Sequence, residues 1–488
     1  MDEPATARDL RWHSFITINS YWLGFNFGSA SITPLLLPFL VALFVPAGQK
    51  NTYLANIRVA SLAVAMLTQP VAGMLSDRCA HPLGRRRPYI IGGTLATVLS
   101  LAVIGLSPKF ADTTLDGGLT VAYVILLVGI VLVQGFSNVA LGAVLGLIPD
   151  LVPVQKRGLA SGVKAVMELL PAMLVIPVGL LIDAGQFWLI LGLIAVAMLA
   201  AMAVTVFGVH EVPLKIRPQG SIRDPLLRLV ALVAIFVTTT RLAVWLVSSV
   251  GSWLTERGAD TTLQVMVVGA AGLGGMAVSI FAGVYLSAWI GIGRRASEQR
   301  SFIWWVINRL LFLAAIGSVQ GFAQYYLADV VQVPNPATAT TMVLAVVAVF
   351  LIASALGGGY LADRVGRKRL VGFSALVAAA GAGVLLLARD LPLSIVAASI
   401  MGVGTGIFLA TNWALGTDLV PPDEAGHYLG ISNLAGAGAG IVGVGIGGPM
   451  ADFFNVLRPG LGYIVVMALY GVLFLLSAVA LTRIKAGR

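Results

Sequence analysis

Apolar runs of roughly twenty residues or more follow one another along almost the whole chain, separated only by short polar connections. A helix of about twenty residues crosses the hydrocarbon of a bilayer. No water is available there, so each run must close its backbone hydrogen bonds within itself, which only a helix or a sealed barrel does. The runs fall at roughly 14–45, 53–75, 88–107, 119–149, 159–184 and 186–208, then at 226–250 and 263–290. Six more follow at roughly 301–328, 338–361, 369–388, 393–417, 427–451 and 460–483. Strands of a barrel would be short and alternating, and none are visible. The fold class is therefore all-α, a polytopic membrane bundle of about fourteen spans. Composition agrees: 58% of residues are hydrophobic and 11% charged, against about 25% charged in soluble domains.

The charge of the chain is +10, but the basic residues sit in short loops between the runs, where they determine topology and meet anionic lipid. Nucleic acid is excluded as a partner. With the amino terminus inside, Arg85–Arg87, Lys156, Arg157, Lys215–Arg223, Arg294–Arg300, Arg364–Arg369 and Arg483–Lys485 all fall on one side. That side is cytoplasmic by the excess of Lys and Arg in loops that stay inside. Removing either run at 226–250 or 263–290 alone would invert everything after it. The single cysteine, Cys79, permits no internal disulfide. The first run is too long for a signal-peptide core and is read as a retained span.

Two pairs of motifs repeat. Gly73-Met-Leu-Ser-Asp77-Arg78, followed by Gly84-Arg85-Arg86-Arg87-Pro88, matches Gly359-Tyr-Leu-Ala-Asp363-Arg364-Val-Gly366-Arg367-Lys368-Arg369. Ile148-Pro-Asp150-Leu-Val-Pro153 with Gly158 matches Gly416-Thr-Asp418-Leu-Val-Pro421 with Gly426 at identical offsets. These copies resemble the signature loop of the major facilitator superfamily, and the longer first copy resembles its sucrose-transporter and glycoside–pentoside–hexuronide cation symporter branch. The resemblance implies a six-helix repeat over 1–208 and another over 301–488. The stretch 209–300, holding linkers and two extra helices, departs from a twelve-span pattern. It further implies a gate built from Asp77, Arg78, Arg85, Arg86, Asp363, Arg364 and Arg367, with each Asp capping a helix and the arginines bridging halves. Sucrose transporters carry an acid in the first span and melibiose-type symporters in the second. Here Asn19, Asn26 and Arg58 stand in those spans.

Polar groups inside the hydrocarbon region cost several kcal/mol unless they face a partner or a water-filled cavity, so each is a functional candidate. Rings cover the C–H faces of a sugar and amides bond its hydroxyls. Tyr21, Trp22, Asn26, Asn138, Gln320, Asn412 and Trp413 are the candidates for that role. The alternative is that the aromatics form interfacial belts and the amides join helices, and Trp304 and Trp305 are assigned to the belt. Glu168 is the acid well inside a span and the proton-carrier candidate. Lys164 precedes it by one turn, so a plain intrahelical ion pair is the competing reading. Arg309, also deep, is expected to help hold Glu168 ionised. The run Gly443-Val-Gly-Ile-Gly-Gly448 has no strand before it and reads as close helix packing, not as a dinucleotide site.

These readings converge on a monomeric, multi-pass secondary transporter of the inner membrane, both termini cytoplasmic, moving a sugar or glycoside with a proton. It needs no metal or cofactor and is not an enzyme. A P-loop is absent from the sequence, so this chain does not use ATP through one. An exporter of drug-like or lipid amphiphiles and a non-transporting membrane scaffold are the alternatives. A topology test follows directly: a tag at Gly258 is reachable from outside the cell and a tag at Ser297 from inside. Cytoplasmic protection of the Gly258 tag contradicts fourteen spans.

Overall fold

The computed structural model describes residues 11–115, 119–211, 221–293, 298–420 and 425–485, without the side chains at 154, 291, 292, 363, 425–431 and 433–435. Within them the chain is helical between its turns, apart from one isolated bridge joining Thr114 and Thr120. Fourteen helices are long and apolar enough to cross a membrane. They are α1 Trp12–Phe44, α2 Ala47–Ser76, α3 Arg87–Phe110, α4 Val121–Leu151, α5 Arg157–Asp183, α6 Phe187–Gly208 and α7 Arg223–Glu256. The second seven are α8 Thr261–Ile290, α9 Arg300–Asp329, α10 Pro336–Ala362, α11 Arg367–Leu387, α12 Leu391–Asp418, α13 Gly436–Leu457 and α14 Leu461–Arg483. Each coincides with an expected run. The seventh continues past residue 250 because nothing from Gly251 to Glu256 breaks a helix, and it ends where Gly258 takes a φ of 66°.

Prolines account for the departures from straight helix. A proline lacks the N–H that would bond one turn back, and its ring displaces that turn's carbonyl. Around Pro34, α1 therefore widens into a π turn over Ile32–Leu36. Pro171 and Pro177 break α5 into Arg157–Leu169, Pro171–Leu174 and Ile176–Asp183.

Contacts divide the chain into two compact units, one of residues through Leu36 with Leu67–Leu226, the other of Leu37–Met66 with Leu227–Arg488. In the first, Phe15, Ile18, Tyr21 and Trp22 of α1 pack with Ile90 of α3, Ala140 to Leu147 of α4 and Val206 of α6. Gly93 lies directly against the α4 backbone, which leaves no room for a Cβ and sets the α3–α4 separation.

In the second unit Phe312 of α9 stacks on Phe408 of α12, with ring centroids 3.7 Å apart and planes 5° from parallel. The glycines of α13 pack as their sequence suggests, Gly443 against the Ala314 carbonyl and Gly447 against the Tyr470 hydroxyl. The two extra helices, α7 and α8, are attached by a ring. Phe236 of α7 is fully buried, and it occupies space left by Gly283 of α8 and Gly438 of α13, neither of which could carry a Cβ there.

Overpacking a well-filled site costs typically about 1–3 kcal/mol. Gly283→Leu is expected to destabilise purified protein by that order, and Phe236→Ala in the same chain to recover part of it. On the same helix Gly274 has nothing within 4 Å of a built Cβ, so Gly274→Leu should stay within about 0.5 kcal/mol of wild type. Thermal denaturation in detergent compares the three.

Candidate functional site

Within each unit, the basic-loop motif meets the Asp-Leu-Val-Pro motif of the same half. Arg85 pairs with Asp150 in the first unit, and Arg367 pairs with Asp418 at 2.7 Å in the second. These are corresponding positions: each arginine follows the loop glycine, and each aspartate opens the Asp-Leu-Val-Pro motif. The glycines match too, since Gly84 and Gly366 have φ of 106° and 96°, a backbone state that glycine adopts without strain. Cations also meet the free carbonyls at the last helix of each half, where the helix dipole is negative. Arg87 donates to the Val206 and Val209 carbonyls, and Lys368 donates to the Ile484 carbonyl at 2.6 Å.

The halves differ in one respect. Arg86 is buried and gathers several partners: Nη2 meets Asp77 at 2.6 Å, Nε meets Asp150 at 2.6 Å, and Nη1 donates to the Ser76 hydroxyl at 3.1 Å. Gly146, without a side chain, leaves the space for that guanidinium. Glu211 accepts from the backbone N–H groups of Arg86 and Arg87 at the start of α3, at 3.0 and 3.2 Å. An acid is favoured at a helix N-terminus, and here Glu211 holds that place while Asp77 faces a guanidinium. Arg364 lies over the Tyr360 ring at 4.4 Å. Asp363 falls outside the described side chains.

Midway along the second unit, α9 and α12 bring Arg309, Asn412 and Trp413 together. The Arg309 guanidinium carbon lies 4.9 Å from the Trp413 ring centroid, and its Nη1 donates to Asn412 Oδ1 at 3.4 Å. Asn412 is fully buried. It donates to Asn308 Oδ1 at 2.8 Å, and Asn308 in turn donates to the Ser477 carbonyl and hydroxyl, both at 2.8 Å. The amide that composition marks as a solute donor thus fixes Arg309 instead. Trp305 is not a belt residue. It is fully buried, donates Nε1–H to the Asn412 carbonyl at 2.9 Å, and fills the space above Gly416. Its nearness to Arg300 suggested an interface. A helix turns 100° per residue, however, so adjacent tryptophans need not share a face.

In the first unit, Lys164 and Glu168 form an ion pair at 2.7 Å one turn apart on α5. The Lys164 ammonium sits 4.0 Å from the Trp22 ring centroid, and Phe25 meets Trp22 edge-on. Other candidates take packing roles. Tyr21 is fully buried, and its hydroxyl lies 3.2 Å from Thr94 Oγ1. Asn26 and Asn138 each donate to the carbonyl one turn back in their own helix, at 2.9 and 2.8 Å. Gln320 is exposed on α9.

Sequence reasoning missed a cluster at the opposite end. Asp452 of α13 caps the start of α2, accepting from the Thr52 N–H at 2.7 Å, the Asn51 N–H at 3.2 Å and Asn51 Nδ2 at 2.8 Å. The Tyr463 hydroxyl accepts from Asn51 Nδ2 at 3.2 Å and donates to Asp329 at 2.7 Å. Lys50 pairs with Asp329 at 2.6 Å, and Tyr325 donates to the Pro38 carbonyl at 2.7 Å. Each of these residues ends or nearly ends a span, where a polar side chain is ordinary. Only the fold reveals that they converge.

The family description Major Facilitator Superfamily matches residues 23–328 and 305–487. Sucrose transport protein SUC3 of Arabidopsis thaliana is 28% identical over 149 residues, 29% of this chain and 24% of that protein. Sucrose transport protein SUT2 of Oryza sativa subsp. indica is 28% identical over 155 residues, 30% of each chain. The match thus spans less than a third of the sucrose transporters' own length. Among solved structures, a D-xylose-proton symporter has a TM-score of 0.63 at 14% identity, covering 97% of this chain and 98% of its own. A POT family transporter in complex with 5-aminolevulinic acid has a TM-score of 0.65 at 13% identity, with 97% of each covered.

The asymmetry between the two arginine clusters has a measurable consequence. Removing one partner of a buried ion pair leaves an uncompensated charge and costs about 3–5 kcal/mol, whereas an exposed pair contributes about 0–1 kcal/mol. The Arg86 side chain is 6% exposed, while those of Arg367 and Asp418 are 34% and 52% exposed. Arg86→Ala is expected to lower unfolding stability by several-fold more than Arg367→Ala, and equal losses would contradict the assignment.

Proposed function

This chain belongs to the major facilitator superfamily, and we propose that it is a secondary transporter moving a sugar or glycoside together with a proton. The observation that carries the reading is the Arg309–Trp413 pair, a cation held over a half-buried aromatic ring by the amide chain from Asn412 to Ser477. It lies on helices otherwise apolar enough to cross a membrane. A ring face suits the C–H side of a sugar, and guanidinium donors suit its oxygens. Trp22 offers a second ring in the first unit, beside Lys164. The likeness to sucrose transport proteins and to a D-xylose-proton symporter supports the substrate class.

In this reading the six-helix repeats are 1–208 and 301–488, the basic loops face the cytoplasm, and both termini lie inside. Transport then proceeds by opening one end of the bundle while closing the other. At the cytoplasmic end the Arg–Asp clusters brace helix ends. At the outer end, the cap that Asp452 places on α2 and the Lys50–Asp329–Tyr463 contacts hold helices of the two repeats together. Glu168 carries the proton. In its charged form it holds Lys164 at 2.7 Å, and protonation removes that counter-charge from an ammonium lying over the Trp22 ring.

Transport into proteoliposomes tests this. An inward proton gradient is expected to drive saturable uptake of a labelled sugar or glycoside, absent from protein-free vesicles. Trp413→Ala should raise KM at least ten-fold. Glu168→Gln should remove the pH dependence of uptake while preserving exchange of internal for external solute. A pH profile identical to wild type would leave Glu168 as no more than the partner of Lys164.

A further inference from the structure

Hydroxyls buried in the spans commonly donate to the carbonyl one turn back in their own helix. Ser31 donates to Phe27, Thr94 to Ile90, Thr97 to Gly93 and Thr411 to Ile407, all at 2.7 Å. That bond satisfies the hydroxyl without any partner outside the helix. Ser318 of α9 departs from this pattern. It is fully buried, and its Oγ has no hydrogen-bond partner. Gly443 of α13 lies against the Ala314 carbonyl, one turn before Ser318. The Gly443 carbonyl in turn accepts from the Tyr470 hydroxyl at 3.0 Å. Tyr470 is beside Ser318 but not in hydrogen-bond geometry with it. The Ser318 hydroxyl is thus left as a donor.

A cation stands next to that hydroxyl. Arg58 of α2 lies eight residues past Lys50, about 12 Å into the span at helical rise. Its Nη1 occupies the space left by the missing side chain of Gly321 on α9, beside a methyl of Val444. Gly321 follows Ser318 by three residues, so the two positions are neighbours on one face of α9. Gly443, against Ser318 Oγ, and Val444, against the Gly321 position, are consecutive on α13. Two separate sets of contacts therefore bring Arg58 Nη1 and Ser318 Oγ to one place. Arg58 Nη1 is also buried without a partner. Among the described residues no carboxylate lies within salt-bridge distance of Arg58. Arg241 of α7 donates to Asn56 Oδ1 at 2.9 Å, two residues from Arg58 and so on another side of α2.

Arginine keeps its charge in proteins, and an unpaired charge in hydrocarbon is costly. Water satisfies an N–H but cancels no charge. We propose that Arg58 Nη1 and Ser318 Oγ hold a bare monovalent anion of chloride size, a resident counter-ion and not the transported solute. Both groups are donors, one charged and one neutral, as such an anion requires. Phe322, Val444 and Tyr470 around them are fully buried, which limits the occupant to very few atoms and excludes a sugar or a lipid headgroup. Arg309 is twelve residues from Gly321 along α9, about 18 Å, so the anion is no part of the site at Trp413. Bound between Arg58 and Ser318, it fastens the first half of α2 to α9.

Melting of the full chain in phosphatidylcholine nanodiscs tests this, with chloride, bromide or sulfate replacing methanesulfonate at constant ionic strength, since screening follows ionic strength. Chloride and bromide are expected to raise the melting temperature saturably, and sulfate is not. Arg58→Gln should abolish the rise, Arg58→Lys should keep a weaker one, and Arg241→Gln should respond as wild type does. Ser318→Ala should weaken the apparent affinity about ten-fold, the loss of one hydrogen bond to a charged group. In methanesulfonate alone Arg58→Gln should melt no lower than wild type, because the substitution removes an uncompensated charge. In saturating chloride it should melt lower. Crystals soaked in bromide should show an anomalous peak between Arg58 Nη1 and Ser318 Oγ. Equal melting in chloride and methanesulfonate overturns the proposal and leaves water as the occupant. A rise that persists in Arg58→Gln, or that sulfate reproduces, is a general salt effect and overturns it as well. If Arg58→Gln does not fold, Ser318→Ala and the bromide peak decide: unchanged affinity with no peak overturns the site.

Discussion

Hydrocarbon offers no hydrogen-bond partner, and that absence governs every level of this structure. It forces each apolar run to become a helix. It removes the hydrophobic drive between helices, so association depends on close packing and on polar contacts. It also makes each buried charge an account to be settled by a named neighbour. Arg86 settles with Asp77 and Asp150, and Lys164 with Glu168. Arg58 and Arg309 have no such neighbour among the described residues.

The close packing is carried by glycine. Gly93 brings α3 onto α4, Gly443 brings α13 onto α9, and Gly283 with Gly438 accepts the Phe236 ring that fastens the extra helices. Glycine costs conformational entropy in a soluble helix. In a bilayer the helix is already required, so that cost is secondary to the contact it permits. The pairing of Arg85 with Asp150 and of Arg367 with Asp418 shows the same economy at the helix ends. One local solution, a glycine turn delivering an arginine to the aspartate of a neighbouring helix, serves both halves. In the first half a second arginine, Arg86, turns it into a buried network among the described residues.

The fold was legible because membrane helices announce themselves by length, and the paired basic loops made the two central helices inseparable from each other. The pairing of basic-loop arginines with the Asp-Leu-Val-Pro aspartates was foreshadowed by the repetition of both motifs. The site was legible only in part. Arg309, Asn412 and Trp413 are polar or aromatic residues deep in apolar runs, and they converge. Composition could not tell that Asn412 holds the arginine, or that Trp305 is core while Trp304 meets Phe281 and Arg483 nearer the span end. Those distinctions depend on which face of a helix meets which neighbour. The cluster around Asp452 was invisible for another reason. Acids near span ends are common, and the contacts that give this one its role come from residues some four hundred positions away.

The account stands on alternation between closed and open outer ends, so the most direct measurement is a distance across that end. Spin labels at Gly48 and Arg458, both exposed, in a chain whose single cysteine, Cys79, is replaced by serine, report it by pulsed electron resonance. Two distance populations are expected, exchanging weight when solute and proton are supplied together, with the longer favoured by Asp452→Asn. A single distance, unchanged by solute, by pH and by Asp452→Asn, would contradict the account.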